Sequence, residues 1–530
     1  MTEPARNSRR SSMRRIMAGA ASGILAAGFG VAAAEILAAA TRPQAGPLVA
    51  VGGAVIDATP TAVKEVAVRE LGTYDKPALL GGIVVVLLLF TALTGILGLR
   101  RRIVVVAGAT LFGAAGAAAA LSRPDADVVD TVPSLFGAAI TGAILWWLLH
   151  RCTPKPTQNN APTRKSSADS GAVAEAPEPD FNRRSFLRSA ALVAGGTATA
   201  GASAQWVKRA RAGAAARTRE ALLLPAAASP AVPLPAGTGP GFVTADKDFY
   251  RVDTALAIPR INLETWRLRI HGMVDNELEL SFDDLLDRPL IERDITLNCV
   301  SNEVGGPYIG TARWLGVPLA PLLRQAGLRA GADQLIARSA EGMTIGTPID
   351  VLLDGRDAML VVGMNGEPLP LVNGFPVRML TPGLYGYAGA CKWLTELRVT
   401  TFADVDAYWV ERGWATHGTV KTASRIDRPK PFARLTAGTQ TIAGVAWAQG
   451  RGIAGVEISI DGGDWNAAEL LPVPSLDTWA QWRYTWNAQP GPHSIAVRAA
   501  DRTGAVQAGE RATPFPDGAT GWHTITVTIA

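Results

Sequence analysis

The sequence predicts a multidomain chain: an all-α transmembrane bundle of five spans, a middle α+β domain and a C-terminal β-sandwich. Three observations point there. Long apolar runs are confined to the residues before 205. An alternating, strand-like run, Asp294-Ile295-Thr296-Leu297-Asn298, ends in Cys299 and a polar, Gly-rich loop. From Ile426 onward, short period-two strands alternate with turn signals. At 530 residues, 48% of them apolar, the chain exceeds a single soluble domain.

Ile16 to Ala40, Ala78 to Leu99, Ile103 to Leu121 and Val132 to His150 are each about 20 residues long, enough to cross a hydrocarbon core. Only the first contains an internal charge, Glu35. Arg6, Arg9, Arg10, Arg14 and Arg15 precede the first run, Arg100 to Arg102 separate the second from the third, and Arg151 and Lys155 follow the fourth. The positive-inside rule therefore puts the N-terminus, the Arg triplet and residue 151 onward in the cytoplasm. The loops 41–77 and 122–131 face outward, the longer one lying on the membrane through Val63, Val66, Val68 and Leu71.

Residues 151–180, rich in Pro, Ala, Ser and charge, read as a disordered cytoplasmic linker. Arg183-Arg184-Ser185-Phe186-Leu187 and the mild Gly/Ala/Thr-rich run to Ala204 look like a twin-arginine export signal inside the chain. Residues 186–204 then form a fifth, outward-running span. Ala202-Ser203-Ala204 resembles a signal-peptidase site, but an uncleaved anchor is expected, with 205–240 as an Ala/Pro-rich tether. The chain is thus a multi-pass protein of the cell membrane with its C-terminal half outside. Of five histidines only His150 lies at a span, so haem in the bundle is not expected. There is no Cys cluster for iron–sulfur and no Gly-x-Gly-x-x-Gly unit. Electrons are then exchanged with a separate quinone or c-type carrier. Nucleic acid is not an expected partner.

In the domain expected over 241–425, a thiolate at a strand end suits a soft metal, which makes Cys299 the first candidate ligand. Asn373-Gly374-Phe375-Pro376-Val377-Arg378 and Gly386-Tyr387-Ala388-Gly389-Ala390-Cys391-Lys392-Trp393 place fixed donors and a cation beside flexible backbone, as a phosphorylated organic cofactor requires. The cysteines are Cys152, Cys299 and Cys391, and a Cys299–Cys391 disulfide is the competing reading in an oxidising compartment.

Together with Phe249-Tyr250-Arg251, Ile258-Pro259, Trp266-Arg267-Leu268, Thr311-Ala312-Arg313-Trp314 and Met364-Asn365-Gly366-Glu367-Pro368-Leu369-Pro370, these segments resemble the sulfite-oxidase family of molybdopterin enzymes. The resemblance runs from Phe249 to Tyr408 and implies an α+β fold, a Mo-molybdopterin cofactor and oxygen-atom transfer. It implies Cys299 as the metal ligand, catalytic together with Arg251. Tyr250, Arg251, Asn373, Arg378, Ala390, Cys391 and Lys392 are the implied cofactor-binding residues. A cofactor inserted in the cytoplasm also gives a reason for exporting this half folded.

The departures bear on substrate. Asn373 stands where sulfite-oxidising members carry histidine, Glu303 and Val304 where they carry basic residues, and Trp414 where they carry a tyrosine. An anion meets less positive charge here. The Asn-Gly pair resembles a bacterial periplasmic branch that reduces methionine sulfoxide in damaged proteins, so an S- or N-oxide, small or peptide-borne, is the expected substrate. A sulfite-type oxidase is the alternative, and a non-catalytic receptor or scaffold on a decayed fold is the alternative of another class. The direction of catalysis stays open. Trp409, Trp414, Tyr385 and Tyr387 line a neutral aromatic pocket on one reading and are core on the other.

Over 426–530, Thr441–Val445, Val456–Gly463, Trp482–Trp486, His493–Arg498 and His523–Val527 read as strands of a β-sandwich. This resembles the immunoglobulin-like dimerisation domain of the same family and implies a homodimer. His493 and His523 are expected as surface or strand residues rather than a metal site.

Overall fold

The computed structural model describes residues 3–71, 74–123, 126–152 and 183–530. Of the linker expected over 151–180, all but residues 151 and 152 lie outside these. The chain forms two compact units, Met1–Ala212 and Gly213–Ala530.

The first unit is helical: α1 (Glu3–Ala40), α2 (Pro47–Ala58), α3 (Thr61–Leu71), α4 (Asp75–Gly98), α5 (Ile103–Leu121), α6 (Val132–Cys152) and most of α7 (Arg183–Ala221). Four stretches are long and apolar enough to cross a membrane, Met13–Ala40, Asp75–Gly98, Ile103–Leu121 and Val128–Cys152, matching the four expected runs. Small residues let α1 approach its neighbours closely. A Cβ on Gly23 would fall on the carbonyl of Thr91 in α4, and one on Gly30 would collide with Thr141 in α6. Glu35 is buried at the start of α2, where its carboxylate accepts from the Leu48 amide at 3.4 Å. The charge inside the first span is thus placed at a helix N-terminus, which attracts anions.

Ion pairs Arg42–Asp130 and Arg123–Asp57, each 2.9 Å, join the connections 41–77 and 122–131 at one end of the bundle. At the other end Arg102 donates to the Leu149 carbonyl at 3.1 Å. That arrangement agrees with both loops sharing a side. On α3, Val63, Val66 and Leu71 are exposed.

The helix α7 differs from expectation. It runs unbroken through the motif, the expected fifth span and half of the expected tether, and it is not among the four apolar stretches. Glycine, threonine and serine lower its hydropathy before residue 204, and the Ala- and Arg-rich residues after it favour helix over coil. Nor is the remainder a free tether. Leu222 and Leu224 pack on the second unit's core, and the Ala231 amide donates to Glu292 at 3.2 Å.

The second unit begins as an α+β domain. Strands β1 (Leu268–Gly272), β2 (Leu278–Leu280), β3 (Ile291–Asn298), β4 (Ile309–Pro318), β5 (Gln334–Ser339), β6 (Thr344–Pro348), β7 (Met359–Met364), β8 (Glu367–Pro368), β9 (Arg378–Leu380) and β10 (Leu394–Thr400) make two mixed-order sheets. One runs β2-β1-β10-β5-β6; the other runs β3-β4-β7-β8 with β9 added to β7. Within these two sheets β1 and β10 are the strands that pair in parallel. Trp266, Leu268, Leu322, Leu360, Val377 and Leu397 belong to the main core. β3 is buried through Asp294–Asn298, so it delivers the following residue to a fixed point.

The expected C-terminal strands all form. They lie within β13 (Gly438–Trp447), β14 (Ile453–Ile460), β17 (Ala480–Ala488), β18 (Gly491–Asp501) and β19 (His523–Ile529), except that the strand expected over Val456–Gly463 ends at Ile460 and leaves Asp461–Gly463 outside it. With β11 (Ala423–Arg428), β12 (Arg434–Leu435), β15 (Asn466–Ala467) and β16 (Glu469–Leu470) they make two sheets, β11-β13-β17-β16 and β12-β19-β18-β14-β15. The inward residues of both, including Ile442, Ile458, Trp482 and Val497, form one core, as period-two alternation demands.

Candidate active site

At the end of β3, Cys299 is half-buried and its amide donates to the Tyr308 carbonyl at 3.0 Å. The loop between them is closed by Asn302, whose amide donates to the Cys299 carbonyl at 3.1 Å and whose Oδ1 accepts from the Tyr308 amide at 2.8 Å. Gly305 turns it with φ +79°, a conformation that favours glycine. The Cys299 Sγ lies 2.9 Å from Ser301 Oγ. Burial pushes this thiol up, against the opposing pull of Ser301 and of the Lys392 charge. A metal, rather than the surrounding protein, is therefore what would deprotonate it.

No disulfide forms. All three cysteines are free, and Cys391 is wholly buried in the main core with its thiol pushed up to about 12. Its neighbour Lys392 points elsewhere. The Lys392 Nζ is 2.6 Å from Asp253 Oδ2, with side-chain exposures of 11% and 1%, and 4.8 Å from the Trp393 ring centroid. Burial pulls this ammonium down to about 8 although Asp253 opposes the shift. The same carboxylate accepts from Arg251 Nε at 2.9 Å.

Arg378, on β9, is 6% exposed. Its Nη1 donates to the Asn373 carbonyl at 3.2 Å and its guanidinium lies 5.1 Å from the Trp314 ring centroid. Burial lowers even this cation, to about 10. Gly374 explains the Asn-Gly spacing: at φ +116°, a Cβ there would stand 3.1 Å from Lys392 Cα and 3.1 Å from Arg378 Cβ. The two motif segments meet at that point. Tyr250 stacks on Phe249 with centroids 5.2 Å apart, and burial raises its phenol well above the ordinary range. Cys299 and Arg378 are the titratable neighbours coupled to it, the first raising its value further and the second opposing the rise. Ala390 is half-buried against the cluster containing Phe249 and Trp314.

The structure thus brings Cys299, Tyr250, Arg251, Asn373, Arg378 and Lys392 together, with Cys391 and Ala390 as packing beside them. Sequence reasoning missed Asp253, Ser301, Asn298 and Trp314. Each lay near a marked segment: Asn298 and Ser301 flank Cys299, Trp314 closes the Thr311-Ala312-Arg313-Trp314 segment, and Asp253 is an acid two residues beyond Arg251. The aromatic residues fall on the core side of their two readings. Trp414 and Tyr385 are buried in one cluster with Val300, and Tyr387 and Trp409 pack on it. Trp414 is 5.9 Å from Tyr387 and 5.4 Å from Phe515 by ring centroids.

The residues present fit a polar, anionic cofactor. Asn298 Oδ1, Asn373 Oδ1 and Arg378 Nε are buried without a hydrogen-bond partner, a costly condition unless a ligand completes them. Arg251, Arg378 and Lys392 supply the charge. Among the described residues no group of three or more His, Cys, Asp or Glu is placed to hold a metal ion.

Comparison with known proteins agrees. Residues 255–409 match the family described as oxidoreductase molybdopterin binding domain. Mitochondrial sulfite oxidase of Mus musculus is 32% identical over 275 residues, 43% of this chain and 50% of the relative. Nitrate reductase (NADH) 1 of Oryza sativa subsp. japonica is 28% identical, over 50% of this chain and 36% of the relative. The sulfane dehydrogenase SoxCD from Paracoccus pantotrophus aligns with TM-score 0.43 and 26% identity, over 48% of this chain and 71% of that one. The chain spans about half the length of the sulfite oxidases it matches at 32% identity.

Proposed function

We propose, from the match of residues 255–409 to the oxidoreductase molybdopterin binding domain and their likeness to sulfite oxidase, that the chain is a membrane-anchored, Mo-molybdopterin-dependent oxidoreductase that removes oxygen from an S- or N-oxide outside the cytoplasm. The observation that carries the reading is the meeting of Cys299, Lys392 and Arg378 around buried polar atoms left without partners.

When bound, the molybdenum cofactor supplies the two-electron exchange of an oxygen atom. Cys299 gives the metal its protein ligand. Arg251, Arg378 and Lys392 hold the cofactor's anionic and carbonyl groups, and Asn373 completes the set from its carboxamide. Tyr250, a buried phenol coupled electrostatically to Cys299 and Arg378, adds a neutral O–H to the same neighbourhood. Val300, next to Cys299, is buried in one apolar cluster with Trp414.

The substrate preference rests on charge. Glu303, exposed beside Cys299, and the apolar Val304 make the loop less attractive to an anion than to a neutral oxide. The sulfite oxidases among the relatives support the second reading, oxidation of sulfite or a similar anion. A quinone or c-type carrier exchanges the electrons. Four spans and the outward-running α7 anchor the chain in the cell membrane, and the immunoglobulin-like sandwich joins two copies.

The test is molybdenum per chain, measured by mass spectrometry on detergent-purified protein from a cofactor-competent host, followed by turnover with reduced dye plus methionine sulfoxide against oxidised acceptor plus sulfite. Near-stoichiometric metal with dye-driven sulfoxide reduction is expected. Turnover of sulfite alone transfers the assignment to the second reading, and absence of metal leaves a receptor or scaffold.

A further inference from the structure

The loop that carries Cys299 is held from outside its own domain. Thr296, three residues upstream, gives its backbone and side chain to the sandwich region. Its amide donates to the Asp477 carbonyl at 2.9 Å, its hydroxyl accepts from the Trp479 amide at 2.7 Å, and its carbonyl accepts from Gln449 Nε2 at 3.1 Å. Downstream, Arg425 Nη1 donates to the Gly306 carbonyl at 2.8 Å, with the guanidinium held by Asp427 at 2.8 Å from Nε. The His523 ring packs on Gly305 so closely that a Cβ there would fall on its Nε2–Cδ2 edge. The other ring nitrogen, Nδ1, accepts from the Ile426 amide at 2.9 Å, which fixes the ring's direction.

Strand β3 and its loop are therefore gripped on both sides of the cysteine. The upstream contacts set where the strand ends. The downstream contacts fall on Gly305 and Gly306, where the backbone has no side chain of its own to hold it. Within the loop, hydrogen bonds through Asn302, Cys299, Glu303 and Tyr308 and the Cys299–Ser301 side-chain contact restrain the turn.

We propose that Arg425 and His523, both from the β-sandwich, are positioning residues for the Cys299 sulfur. The sandwich then works inside each chain, apart from any pairing of two chains, by fixing the loop against which the metal is bound. This rests on the reading of Cys299 as the metal ligand. Neither residue touches the cofactor site; each acts through the backbone of the loop.

The experiment uses the full chain in detergent with Arg425→Ala, His523→Asn and, as control, Arg483→Ala, which breaks the exposed pair with Glu469 in the same sandwich. The asparagine retains an acceptor for the Ile426 amide while withdrawing the ring from Gly305. Hydrogen exchange read by mass spectrometry over residues 299–308 is expected to quicken about tenfold in Arg425→Ala, as the loss of one charge-assisted hydrogen bond allows, and to quicken in His523→Asn through the loss of ring packing on Gly305, with strands β13 and β17 unchanged. Molybdenum should leave these variants on dialysis about tenfold faster than wild type, and the electron paramagnetic resonance spectrum of partly reduced protein should shift. The control should match wild type in all three. Unchanged loop exchange overturns the proposal. So does faster exchange throughout the sandwich, or an equal effect in Arg483→Ala, because either means general loosening. A wild-type chain that holds no molybdenum defeats the cofactor reading separately, while loop exchange still decides whether the sandwich grips the loop.

Discussion

Replacing Asp253 by Asn tests whether a buried ion pair, rather than simple packing, holds Lys392 at the site. The carboxylate is 1% exposed, the lysine 11%, and they lie 2.6 Å apart. Removing one partner of a buried pair leaves an uncompensated charge and costs about 3 kcal/mol. The pH dependence separates this from a packing defect. In the wild-type fold Lys392 titrates at about 8, below its ordinary value of 10.5. The unfolded chain therefore binds the extra proton between those values, and folded stability rises with pH across that window. Asp253 is among the groups that raise the Lys392 value, so Asp253→Asn moves it below 8 and extends the window downward. Between the variant's lowered value and 8, the variant gains stability with pH while wild type does not. The gap between them should narrow by about 1.4 kcal/mol per pH unit as pH approaches 8, then stay constant. Pulse proteolysis of the full, unloaded chain in detergent from pH 6 to 9.5 reads this. A gap that is flat or that widens from pH 6 to 8 refutes the ion-pair account.

Cys299→Ser should lose molybdenum while the midpoint of unfolding of the unloaded chain moves by less than about 1 kcal/mol, since the half-buried thiol keeps its small volume as a hydroxyl; metal retention at wild-type level would contradict its role as ligand. Gly374→Ala should cost about 2 kcal/mol or more in denaturant unfolding, because φ +116° is strained for alanine and the new methyl meets Lys392 and Arg378. It should also weaken cofactor retention, whereas Gly355→Ala, at φ +97° in open space, should affect stability alone. Arg183→Lys with Arg184→Lys should leave residues 241–530 protected from protease added to intact spheroplasts while the first four spans still insert; unchanged accessibility would remove the export role.

Much of the fold was readable because each unit states its period plainly. Four apolar runs and their arginine flanks anticipate α1, α4, α5 and α6, and period-two alternation anticipates β13, β14, β17, β18 and β19. The helix α7 was harder. Gly195-Gly196 and the threonines around it suggested a short, weak span, yet nothing there competes with helical hydrogen bonding, and the Ala/Arg-rich residues beyond carry the helix to Ala221. The following prolines suggested a loose tether, but Leu222 and Leu224 had a core to pack on that no local pattern reveals.

The site divides along a different line. Cys299, Arg378 and Lys392 stood out because each sits in a short segment whose chemistry is local: a thiol after a strand, a cation beside Asn-Gly or Gly-Ala. The residues that hold them are distant in sequence and ordinary in type. Asp253 lies 139 residues before Lys392, Trp314 stacks on Arg378 from another strand, and Arg425 reaches Gly306 across 119 positions. Proximity in sequence to a motif, as for Asp253 and Trp314, does not reveal which cation the side chain meets until the chain is folded. A motif in this chain therefore marks what touches the cofactor, while the geometry of those contacts is set by residues that only the tertiary structure connects. The Asp253 and Arg425 variants bear on the second class, and a site that tolerated both would mean that the motif segments position themselves.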